Sequence, residues 1–125
     1  MKRLFIFLAA PLFLLACSSK KSSGGSQDTP EGVVNIIFDA AKNKDFSKLS
    51  TLCSPDADTD SKHICDMKEE DKESFITYFS KGKINGSATI TGDAAAVPIL
   101  FGPDGTKDET MNLVKKDGKW YLQSF

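Results

Sequence analysis

The apolar positions keep a helical period up to Gly82 and an alternating one after it. Val33, Val34, Ile37, Phe38 and Ala41 fall on one face, which predicts a helix ending near Asn43. Its start is marked three ways: Thr29 suits the N-cap, Pro30 the first helical position, and Glu31 the positive end of the helix dipole. A second short helix is expected from Asp45, with Phe46, Leu49 and Leu52 turned inward. Ser54 to Lys62 (SPDADTDSK) is polar and turn-rich and reads as a loop. Ile64, Met67, Phe75, Tyr78 and Phe79 then fit a third helical stripe, with Gly82 placed to stop it. The charge run from Lys68 to Glu73 is either a solvated face or a break at which Asp71 caps a new helix.

Beyond Gly82 the pattern predicts four strands. Lys83 to Thr91 alternates, with Ile84, Ala88 and Ile90 on one side, and Gly92-Asp93 is a turn. Ala94 to Phe101 puts Val97, Ile99 and Phe101 together, while Pro98 lies on the opposite face and marks an edge or a bulge. After the turn Gly102 to Thr106, the segment Glu109 to Lys115 turns Met111 and Leu113 inward. Asp117-Gly118 is a strong hairpin signal before Trp120 and Leu122. Helices followed by a four-stranded antiparallel meander make an α+β domain over residues 29–125.

Ahead of this domain the polarity changes abruptly. Lys2 and Arg3 precede an uncharged apolar stretch, Leu4 to Leu15, too short to span a bilayer as a helix. It runs into Leu14-Leu15-Ala16-Cys17, which matches the bacterial lipobox, so residues 1–16 read as a lipoprotein signal peptide. By its resemblance to bacterial lipoproteins, Cys17 would then be the lipidated residue, carrying a diacylglyceryl thioether and an acylated amine such as a palmitoyl amide. Several acyl chains, at ~0.8 kcal/mol per buried methylene, make such anchoring effectively permanent. Under the sorting rule of enterobacterial lipoproteins, Ser18 after the cysteine implies an outer-membrane location facing the periplasm. Ser18 to Asp28 has no large apolar residue, so residues 17–28 read as a lipidated cysteine and a flexible tether.

The signal peptide alters the charge balance. Without Lys2 and Arg3 the chain carries 14 basic and 17 acidic side chains, a formal charge of −3. Arg3 is the only arginine and no basic stripe exists, which argues against nucleic-acid binding. Cys53 and Cys65 lie in a chain addressed to a compartment that permits disulfides, and an even pair there reads as one bridge. A loop of this size would contribute about 3 kcal/mol.

The segments Thr29-Pro30-Glu31-Gly32-Val33-Val34, Phe38 to Phe46 (FDAAKNKDF) and Met111 to Tyr121 (MNLVKKDGKWY) resemble the cystatin-like, nuclear-transport-factor-2-like superfamily. Within it the chain is most similar to bacterial lipoproteins of the domain-of-unknown-function family numbered 4878. The resemblance covers about residues 29–125. It implies a curved sheet wrapped around a long N-terminal helix as a cone, and it implies no catalytic residue. A fold alone does not give an activity.

Candidate chemistry is sparse, and neither a catalytic constellation nor a cofactor site is expected. Asp56, Asp58 and Asp60 alternate as at the start of a calcium loop, with Asp66 as a further oxygen donor. The sixth and twelfth positions hold Ser61 and Met67 instead of Gly and Glu, so a solvated acidic loop is the better reading. His63 is the only histidine, with Asp60, Asp66 and Tyr78 as conceivable partners. A zinc site would need more ligands than one histidine and two paired thiols supply. Phe75, Phe79, Tyr78, Phe101 and Trp120 either fill the core, the favoured reading, or line a pocket at the mouth of the cone. The terminal Trp120 to Phe125 resembles the last strand of an outer-membrane barrel, but four predicted strands cannot form one.

The expected function is therefore that of a membrane-anchored envelope lipoprotein, a non-catalytic module binding an envelope protein or a small ligand. The alternatives are a calcium-binding lipoprotein and a pocket enzyme of isomerase or hydratase type. The enzyme would use Asp39 or Asp66 as base and Tyr78 as hydrogen-bond donor. An exposed strand edge near Pro98 is a further candidate interaction surface.

Overall fold

The structure, a computed structural model, describes residues 25–125. The expected signal peptide, Cys17 and most of the expected tether lie outside the described residues. Helix α1 spans Pro30–Asn43 and starts as its sequence dictates. The Thr29 hydroxyl accepts from the Gly32 amide at 2.9 Å, Pro30 opens the first turn, and Glu31 lies within it. Val33, Val34, Ile37, Phe38 and Ala41 are buried together, each large side chain contributing about 1.5–3 kcal/mol. The helix stops at Lys44, which takes a left-handed conformation (φ 56°) and returns its amide to the Ala40 carbonyl.

The second expected helix is reduced to a single 3-10 turn, Leu49–Thr51. The Asp45 carboxylate accepts from both the amide and the hydroxyl of Ser47, a local turn that competes with helix formation. Leu49 and Leu52 are nevertheless buried. The expected loop Ser54 to Lys62 is a loop only in its first half. Asp58 accepts from the Ser61 amide at 2.9 Å and caps helix α2, Thr59–Cys65. The charge run is a break, comprising a 3-10 turn at Glu69–Asp71 and helix α3 at Lys72–Phe79. Asp71 occupies the N-cap position of α3 without making a side-chain capping bond. Gly82 follows the end of α3 at Ser80 and does a different job from a left-handed stop: a Cβ there would run into the Phe38 ring.

The sheet has five antiparallel strands, not the expected four, and is not closed. They are β1 (Lys83–Ile84), β2 (Thr89–Thr91), β3 (Ala94–Phe101), β4 (Lys107–Lys116) and β5 (Lys119–Ser124). The order is β1-β3-β4-β5, and β2 also pairs with β3. The expected first strand is thus split. Lys83 pairs with Leu100 and Thr89 with Ala96, which leaves Val97 and Pro98 facing the interruption. Pro98 accepts from the Asn85 amide at 2.8 Å but has no amide of its own to offer that neighbour, so the ladder breaks there. Pro98 therefore marks an irregularity in its neighbour and is not itself on the sheet edge. Ile90 departs from the expected inward side and is 54% exposed. β4 and β5 are joined through Asp117 (φ 54°) and Gly118 (φ 83°), both left-handed as this tight hairpin turn demands.

One face of the sheet supplies Val97, Ile99, Phe101, Met111, Leu113, Trp120 and Leu122 to a single core shared with α1, α2 and α3. The outer edge of β5 is covered by chain that precedes α2. The Ser54 amide donates to Leu122 at 2.9 Å, the Leu122 amide to Leu52 at 2.7 Å, and the Asp58 amide to Gln123 at 2.9 Å. Gln27, within the stretch read as tether, also lies on this edge: its carbonyl accepts from the Trp120 amide at 2.8 Å. Cys53 and Cys65 form a disulfide, with Cα atoms 6.1 Å apart, and so tie the covering segment to the end of α2. Among the described residues no helix is long and apolar enough to cross a membrane.

Candidate functional site

Helices α2 and α3 leave a cleft of about 250 Å³ between them. One wall is α2, presenting Asp60, His63 and Ile64, with Met67 just beyond it. The other wall runs from Asp71 along α3 through Ser74, Phe75, Tyr78 and Phe79, residues that share one helical face. Phe101 at the end of β3 and Phe125 after β5 complete the lining. Both walls are fixed. Asp58 caps α2 at one end and the disulfide holds Cys65 at the other. The Gly102 amide donates to the Tyr78 carbonyl at 2.7 Å, which pins the end of β3 to α3.

The aromatic groups form a continuous cluster. Phe75 stacks on Phe79 with centroids 5.0 Å apart, and Phe79 lies 5.2 Å from Phe101. Phe125 meets Phe79 and Phe101 edge to face at 5.8 and 6.2 Å. Phe75, Phe79 and Phe101 are buried, whereas Tyr78 is 43% exposed and stands at the rim, 6.4 Å from Phe101.

Of the five expected pocket residues, Phe75, Tyr78, Phe79 and Phe101 line this cleft and Trp120 does not. Trp120 is 4% exposed and fills the core instead, with its carbonyl bound by the Gln27 side chain and the Lys115 ammonium over its ring at 5.8 Å. Its place in the register of β5 puts it beside Lys115 of β4, on the hairpin. Ile64, Met67 and Phe125 are cleft residues that the sequence pattern did not single out. The first two lie in the stripe expected of the third helical region, and nothing local to Phe125 marks it.

The groups needed for an acid–base enzyme are not brought together. Asp39 lies in a separate depression with Ile36, Asn43 and Lys48. Asp66 lies in another, with Phe46, Ser50 and Lys72. Neither shares the cleft with the Tyr78 hydroxyl. His63 does, together with Asp60, but no hydrogen bond among the described residues joins the imidazole to Asp60, Asp66 or Tyr78, and both His63 and Asp60 are exposed. Asp45, outside the cleft, has its carboxyl held below the usual aspartate range by the Ser47 hydroxyl first and the Ser47 amide second. The calcium alternative loses Asp58 to the cap of α2, and among the described residues no three or more of His, Cys, Asp and Glu are grouped to hold a metal ion.

No protein-family model matches the chain, and no curated protein matches it. Among solved structures it is similar to a SEC-C motif containing protein from Rhodopseudomonas palustris, with a TM-score of 0.53 and 16% identity over 78% of this chain and 77% of that one. At that identity the likeness is one of α+β fold.

Proposed function

We propose that this protein is an envelope lipoprotein, anchored through Cys17 to the outer membrane and facing the periplasm. Its α+β domain is a cystatin-like cone of the family numbered 4878, and it holds a small ligand without transforming it. The lipobox Leu14-Leu15-Ala16-Cys17 supports the anchor. The packing of one sheet face around α1 supports the cone. The observation that carries the binding reading is the cleft between α2 and α3, whose lining joins an aromatic and aliphatic cluster to a few polar side chains, with no hydrogen bond pairing an acid, base or nucleophile among the described residues. Apolar concavities with a few polar groups at the rim are the usual form of small-molecule sites.

Native mass spectrometry of the protein extracted from its own envelope tests this. The expected result is a small-molecule adduct that Tyr78→Ala weakens, recovered chemically unchanged after incubation. An adduct indifferent to Tyr78, or a transformed ligand, overturns the reading. Labelling with an alkyne-bearing palmitate analogue tests the anchor, and Cys17→Ser is expected to abolish incorporation.

A further inference from the structure

The geometry points to a ligand of one charge class: a small organic cation, an alkyl- or aryl-ammonium whose apolar body enters the cleft. This inference rests on the binding reading above and narrows it. A carboxylate stands on each wall, Asp60 on α2 and Asp71 at the head of α3. Neither side chain makes a hydrogen bond or an ion pair among the described residues, although each stands at the favourable end of a helix dipole. Asp71 occupies an N-cap position but makes no capping bond, and the α2 cap is Asp58, not Asp60. The only ion pair among the described residues is Glu69 with Lys72, at 3.0 Å. The Lys72 ammonium also lies 5.1 Å from the Phe46 ring, so the base next to Asp71 in sequence is occupied elsewhere. No lysine lines the cleft.

Between the carboxylates the lining includes the rings of Phe75, Tyr78 and Phe79, of which Tyr78 is the exposed one. Ring faces attract ammonium groups through their quadrupole, most strongly where water is partly excluded, and quaternary ammonium ions are the favoured guests of such cages. An anion would meet both carboxylates with no lysine on the cleft to offset them, although the Lys107 ammonium already lies 5.8 Å from the Phe101 ring. A neutral apolar guest would gain the burial but not the field. At about 250 Å³ the cleft falls below the ~300–1,000 Å³ of drug-sized ligand pockets, so it suits a small amine or one end of a larger one.

The test is an amide-resonance titration of the full chain with three water-soluble probes of similar shape: benzyltrimethylammonium, benzyl alcohol and phenylacetate. The cation is expected to shift resonances of α2 and α3 and to bind about ten-fold more tightly than benzyl alcohol, with phenylacetate weakest. Asp60→Asn with Asp71→Asn is expected to remove that advantage and leave benzyl alcohol unchanged. Should the double variant not fold, Asp71→Asn alone serves, because its side chain holds no helix cap. Binding of benzyl alcohol or phenylacetate as tight as that of the cation overturns the charge preference and leaves the binding module standing. So does a cation affinity that the variants do not change. Silence from all three probes at the cleft removes the binding reading itself.

Discussion

Gly82 lies so close against the ring of Phe38 that the position has no room for a side-chain carbon. Phe38 is 2% exposed and packs on Phe79 at 6.2 Å, so the ring cannot swing aside. Gly82→Ala is expected to cost about 1–3 kcal/mol by overpacking. A lowered urea midpoint with unchanged slope is the readout. Combining it with Phe38→Leu should recover part of the loss, since the two residues share one contact. Additive losses in the double variant would place the cost elsewhere.

Reduction of the Cys53–Cys65 bridge, or replacement of both cysteines by serine, should lower stability by about 3 kcal/mol. The effect should also be local. Amide exchange of Ser54 and Leu122, whose bonds hold the covering segment on β5, is expected to accelerate before that of β3 and β4. Uniform acceleration across the sheet would contradict this.

Ser61 is fully buried and its hydroxyl has no hydrogen-bond partner. An unsatisfied buried polar group costs about 1–3 kcal/mol, so Ser61→Ala should be neutral or stabilising by about 1 kcal/mol in thermal unfolding. The amide of residue 61 would still receive its cap from Asp58. A clear loss of stability would show that the hydroxyl is satisfied in solution.

Asp45 gives a pH signature. Its folded-state pKa is depressed, so the stability it contributes is present above the unfolded-state value and is lost as pH falls through the folded value. The side chain is exposed, and screening keeps the contribution small. A carboxyl titration followed by NMR should place its midpoint below that of an ordinary aspartate, and Ser47→Ala should raise it. An unmoved midpoint in that variant would absolve Ser47.

Helix α1 was legible in the sequence because its signals are local. Thr29, Pro30 and Glu31 act within one turn, and the apolar period follows directly. The hairpin at Asp117-Gly118 was legible for the same reason. The split between β1 and β2 was not, because its cause, the missing amide of Pro98, sits on a different strand. Helix α2 was hidden in a polar stretch. Of its seven residues only Ile64 and Cys65 are apolar, and a cap and a disulfide hold it in place of a broad apolar face. The aromatic wall at Phe75, Tyr78 and Phe79 could be read from helical spacing. The arrival of Phe125 beside Phe101 depends on where β5 ends, and the diversion of Trp120 depends on its pairing with Lys115.

The interruption at Pro98 has a consequence for how copies of the protein meet one another. With the β5 side covered, the remaining sheet edge offers a segment of two residues and one of three, separated by the break. Fibril-forming contacts need six or seven consecutive residues in register, so neither segment can template a stacked sheet. A protein at high concentration collides with its neighbours constantly. Here such encounters find no continuous strand to extend, and the break in the backbone blocks edge-to-edge polymerisation alongside the exposed Lys83 of β1.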